Sequence, residues 1–192
     1  MRCITVLIAT IACSLTSPSY SQTFRVVVTR ATVTPCIGGV EYDSGNVASG
    51  TNLTIPLSTC ATRINITASG SNVSIGRITL TNGPSLYNVD VIFGTATSIN
   101  QQDIQGPTVG GDWAGLDNSG MGVPDRVRMS GTIGGNLTGS VRAGTIFRFD
   151  VLGQLQASVH ASNSAGGMFV VEAASIPSSG SVVLDAGTIR RV

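Results

Sequence analysis

The heptapeptide Ala143-Gly144-Thr145-Ile146-Phe147-Arg148-Phe149 returns as Ala186-Gly187-Thr188-Ile189-Arg190-Arg191-Val192, 43 positions later. A looser copy, Ser74-Ile75-Gly76-Arg77-Ile78, keeps the order hydroxyl, isoleucine, any residue, arginine, apolar residue. A chain that repeats at a fixed period buries each unit's apolar face by stacking it on the next. Three sets of positions lay out the unit. Val127, Ile146, Met168 and Ile189 begin comparable strands at spacings of 19, 22 and 21 residues. Val141, Val159 and Val182, each preceded by a pair of small residues, recur at 18 and 23, and Leu137, Leu155 and Ile176 form the third set. Three strand positions recurring every 18 to 23 residues predict an all-β chain, with a parallel β-helix (β-solenoid) over 69–192 whose layers stack about 4.8 Å apart. The alternative is a β-sandwich of two facing antiparallel sheets, in which Ile146 and Ile189 share no column.

Alternation assigns the faces. Phe147, Phe149 and Val151 are expected inside, with Arg148 and Asp150 outside. Phe169, Val171 and Ala173, then Ile78 and Leu80, fill equivalent inner places, leaving Val170, Glu172 and Arg77 outside. Arg190 breaks the pattern by falling inward beside Val192. Charged residues make up only 11% against 42% apolar with 24 glycines, so the Glu- and Lys-rich surface of an ordinary helical protein is absent.

The first residues read as an address. Arg2 is followed by an apolar run from Cys3 to Cys13, 11 residues long. A bilayer span needs about 20, so the run suits the core of a signal peptide over 1–21. Ser19 and Ser21 place cleavage before Gln22. Lipoprotein processing at Cys13 is the rival, with Thr10 standing where leucine is expected. Either way the mature chain is secreted or held at the cell surface, without a transmembrane span.

Beyond the leader, Cys36 and Cys60 remain. Two cysteines in an exported chain predict a disulfide closing a loop of about 25 residues, worth roughly 3 kcal/mol. Strand-like alternation at 24–30, 52–57 and 63–67 makes 22–68 a disulfide-stapled β cap over the first unit. The opposite end stops in mid-strand at Val192. An uncapped strand pairs readily, so another copy of the chain is an expected partner there, unless the sequence is a fragment of a larger repeat protein.

Periodicity vanishes at 94–125, a long loop rich in Gly, Asn, Gln and Asp that carries the only tryptophan, Trp113, and Asp103, Asp112, Asp117 and Asp125. Long loops of this kind are often functional. Trp113 with the outward arginines Arg77, Arg148 and Arg191 forms a candidate polysaccharide-binding surface. The bland reading of those arginines is a solvated face kept charged for solubility, with Asp150 and Glu172 interleaved.

Asp117-Asn118-Ser119-Gly120-Met121-Gly122-Val123-Pro124-Asp125 resembles the calcium-binding aspartate repeats of extracellular thrombospondin-type-3-like segments. That resemblance implies calcium as the one candidate cofactor, held by Asp117, Ser119 and Asp125, although Ser119 and Met121 stand where acidic ligands belong.

For catalysis the inventory is poor. His160 is the sole histidine, and Gly-x-Ser-x-Gly, His-Glu-x-x-His and P-loop motifs are absent. A glycosidase-like carboxylate pair from Asp103, Asp112, Asp117, Asp125 or Asp150 is the one enzymatic alternative. There is no lysine, and without Arg2 ten arginines balance ten carboxylates, which excludes a basic stripe for nucleic acid. Sequons at Asn52, Asn65, Asn72 and Asn136 matter only where a secretory pathway glycosylates them.

The repeats over about 125–192, with the copy at 74–78, resemble those of secreted bacterial right-handed β-helix proteins of the adhesin and autotransporter-passenger types. The resemblance implies an exported structural or adhesive surface protein without catalytic activity, with glycans as ligands. A polysaccharide lyase or glycoside hydrolase on the same coil is the competing expectation.

Overall fold

The computed structural model describes residues 22–82, 87–93, 109–121, 126–156, 158–161, 168–175 and 184–186. Among them there is no α-helix, and the chain is all-β. Three antiparallel strands come first: β1 (Thr23–Arg30), β2 (Val40–Asp43) and β3 (Val47–Ala48). Then strands alternate between two sheets. One contains β5 (Ala61–Ser69), β7 (Val89–Phe93), β9 (Val127–Ile133), β11 (Thr145–Gln154) and β13 (Met168–Ser175), continuing through β1 to β2 at its edge. The other contains β4 (Leu53–Pro56), β6 (Ile78–Thr81), β8 (Leu116–Gly120), β10 (Val141–Ala143), β12 (Val159–Ala161) and β14 (Leu184–Ala186). We call these sheets A and B.

Among the described residues β5 pairs antiparallel with β1, whereas every pairing of the strands β4 to β14 with one another is parallel. That departs from the two antiparallel sheets of the sandwich alternative. Isolated parallel bridges Ile75–Trp113, Trp113–Leu137 and Leu137–Leu155 add a third column. In chain order the described strands pass from sheet B to sheet A to a position of this column and back to sheet B. Buried side chains from all three face one core, including Ile64, Ile78, Trp113, Leu137, Val141 and Phe149.

A hydrogen-bond ladder fixes the corner before the third column. Ser49 Oγ accepts from Ser74 N at 2.9 Å, Ser74 Oγ from Asp112 N at 3.1 Å, Asp112 Oδ1 from Asn136 N at 2.7 Å, and Asn136 Oδ1 from Gln154 N at 2.8 Å. Each side-chain oxygen satisfies a backbone donor of the next layer that a bare corner would leave unpaired. Close approach also explains the glycine of Gly139-Ser140-Val141. A Cβ at Gly139 would lie 1.7 Å from the carbonyl oxygen of Ala114, so it is the neighbouring layer that demands the missing side chain.

Several expected pairings appear: Ile146 with Met168, Val141 with Val159, and Leu137 with Leu155. Others shift. Ile146 lies opposite Met129, two residues beyond Val127, and Leu184 stands opposite Val159 where Val182 was expected. The register slips between Ile146 and Arg148, so Phe147 is half-buried at a bulge and Ile146 takes the inner place. Within 22–68, β4 and β5 pair in parallel with β6 and β7. The signal peptide 1–21, Ile176, Ile189 and the C-terminal strand at Arg190-Arg191-Val192 lie outside the described residues.

The N-terminal antiparallel strands are cross-linked as well as buried. Cys36 and Cys60 form the expected disulfide, with Cα atoms 5.7 Å apart. Arg25 pairs with Asp43 across β1 and β2, and the Glu41 carboxylate accepts from Ser58 N at 2.6 Å and from Arg30 Nε at 3.3 Å.

Candidate functional site

Trp113 was the expected contact residue, and the structure overturns that expectation. It is 0% exposed, because 109–121, placed by periodicity within a loop, supplies a third-column position and β8. Its ring meets Phe93 edge-on at 4.7 Å and Phe149 at 5.6 Å between centroids. Gly131 lies between Phe93 and Phe149 in the register of sheet A, and a Cβ there would come within 2.6 Å of Phe93, so the missing side chain makes room for the rings. Trp113 is a core residue, and a ligand on the surface does not reach it.

The arginines do not form one row. Arg148 lies on β11 in sheet A, where its Nε donates to Asp150 at 2.9 Å. Arg77 immediately precedes β6 in sheet B and donates to Asp117 Oδ2 at 2.9 Å. The similar peptides around them belong to different sides of the stack. Arg191 lies outside the described residues.

Sheet B does bring polar groups together. Its register sets Thr54, Thr79 and Asp117 opposite one another on successive layers. Val141 opposes Leu116, which places Arg142 beside Asp117, and Arg142 opposes His160. Arg77, Leu116, Asp117, Ser119, Ser140 and Arg142 line a solvent-open hollow of about 270 Å³ on this face. Hydrogen bonds from Ser119, together with the Arg77 guanidinium, hold the Asp117 carboxyl below its ordinary value of 3.8. Arg142 is exposed, and its side chain makes no hydrogen bond or ion pair with the described residues. Sequence reasoning passed over it for want of a repeat around it.

The calcium reading needs Asp117, Ser119 and Asp125 together. Asp125 lies outside the described residues. The Asp117 carboxylate already accepts from Ser119 N at 3.0 Å and from Arg77, whose positive charge opposes a cation at the same oxygens. Met121 is buried in the core cluster. Among the described residues no group of three His, Cys, Asp or Glu side chains could hold a metal ion.

The described candidates for an acid–base pair serve as structural acceptors. Asp112 belongs to the corner ladder, Asp117 is tied to Arg77, and Asp150 accepts from Arg148 and Thr132. Asp103 lies outside the described residues. In sheet A, Asp90 pairs with Arg128 at 2.7 Å, yet burial outweighs that partner and pushes its carboxyl above 3.8. Two of the sequons are engaged as well: Asn52 Oδ1 accepts from Arg77 N at 2.7 Å, and Asn136 belongs to the ladder.

No helix among the described residues is long and apolar enough to cross a membrane. No protein-family model, curated protein or solved structure matches the chain.

Proposed function

We propose that this chain is an exported, non-catalytic attachment protein, built as a parallel β-helix under an N-terminal disulfide-stapled cap. Its contact surface is the outer face of sheet B, and its ligand is a glycan at the cell surface. The observation that carries this reading is the hollow between Arg77 and Arg142, where polar groups converge and one guanidinium has no partner among the described residues. The β-helix supports it through three columns visited in a constant order. Export is supported by the leader-like start and by a disulfide, a bond that persists in oxidising compartments. A role in contact is favoured over chemistry because Asp112, Asp117 and Asp150 are each occupied in holding the fold.

A glycan array run with the mature chain, with and without chelator, tests the reading. Binding to a defined subset of glycans that survives chelation is the expected result. An array without any signal would refute attachment through glycans, and binding abolished by chelation would return calcium to the site.

A further inference from the structure

Arg142 stands apart from its neighbours. Arg25, Arg30, Arg77, Arg128 and Arg148 each pair with a carboxylate, whereas Arg142 is exposed on the hollow with its donors unused by any described residue. A guanidinium offers five N–H donors in a planar fork that matches a carboxylate or sulfate in two parallel, charge-assisted bonds. Arg77 adds to it, since a single nitrogen of its fork is taken by Asp117. The two arginines and Asp117 leave the hollow with one net positive charge. The exposed Ser119 and Ser140 lie on its wall within reach of sugar hydroxyls.

Size and overall charge narrow the ligand. Pockets for drug-sized molecules run from about 300 to 1,000 Å³, so about 270 Å³ takes one charged substituent and the ring that bears it. Nucleic acid calls for a basic stripe, which a chain with ten arginines against ten carboxylates beyond Arg2 does not supply. We infer that the hollow of sheet B recognises an anionic sugar unit, a uronate or a sulfated sugar, with Arg142 as the primary contact, Arg77 as the second, and Asp117 as the charge that limits affinity. This rests on the attachment reading and names its ligand class.

The test is calorimetric titration of the full mature chain with oligogalacturonate, a sulfated dextran oligomer and neutral dextran, each at low and high salt. Binding of at least one anionic probe about tenfold tighter than neutral dextran, and weakened by salt, is expected. The tighter of the two identifies the substituent as carboxylate or sulfate. Arg142→Gln should lose about tenfold, and Arg142→Lys should recover part of it, since the charge returns without the fork. Asp117→Asn should bind about threefold tighter by releasing Arg77, an effect no structural role predicts. Arg25→Gln, in the cap, should change nothing. Glycan binding that is indifferent to charge and to Arg142→Gln overturns this inference and leaves attachment standing. Failure to bind any glycan removes both.

Discussion

The N-terminal antiparallel strands and the parallel strands beyond them share one core but are tied at their edges in different ways. In the cap, short antiparallel strands are tied by a covalent bond and by ion pairs at or near the surface. In the parallel region, cohesion comes from columns of wholly buried side chains and from a corner ladder of neutral and acidic acceptors. Apolar burial repeats at each layer, so the interior needs no staple. The N-terminal strands share that burial, since Phe24, Val26 and Val28 of β1 belong to the same core, and they add a covalent cross-link to it. The two regions should therefore fail under different conditions.

The sharpest way to break this contrast is Trp113→Ala. Removing a fully buried ring that joins Phe93 and Phe149 should cost about 3–5 kcal/mol, and denaturant melts should show the loss in the parallel region. If the variant were as stable as the parent, the aromatic cluster would not be holding the layers. Cys36→Ser with Cys60→Ser should cost roughly 3 kcal/mol, with amide exchange rising in β1 and β2 and little altered in β9 and β11. A uniform rise would mean that cap and stack unfold as one. Asp112→Ala removes one acceptor of the ladder and should cost about 1 kcal/mol, less than either change above.

Acid should separate the regions by sign. Two bonds, to Arg25 and to Gly45 N, hold the Asp43 carboxyl down at about 2 from its ordinary 3.8. Its contribution is whole above the ordinary value and is lost as pH falls toward about 2. Asp90 is raised by burial, so the folded state holds its proton more tightly, and stability is gained as pH falls through its raised value. Asp43→Asn should reduce the loss in acid, and Asp90→Asn should abolish the gain. Urea melts between pH 7 and pH 2 read both, and effects of the same sign would contradict the assignment.

Where the layers are short, the sequence already displays the fold. Leu137 with Leu155, Val141 with Val159 and Ile146 with Met168 are separated by steps of 18 to 22 residues, and the spacing survives. The step from Ile75 to Trp113 is 38 residues, and there the period is lost although the column is not. A local signal marks it all the same. Gly111-Asp112-Trp113, Gly135-Asn136-Leu137 and Gly153-Gln154-Leu155 share the order glycine, ladder residue, column residue, and reading them together would have placed Trp113 in the core. Phe147 was misjudged because alternation assumes an unbroken strand, and a bulge is invisible to it. Arg142 carries no sequence signal at all; its meaning lies in which neighbours the register gives it and in the partner it lacks among the described residues.

The step between ladder residues is 38 positions from Ser74 to Asp112 and 18 from Asn136 to Gln154, yet both advance the stack by a single layer. Which residues align is set by the strands that pair and not by the number of residues between them. A rung is thus specified by one side-chain oxygen and one amide, so exchanging Asp112 for Asn should keep the alignment that exchanging it for Ala would lose.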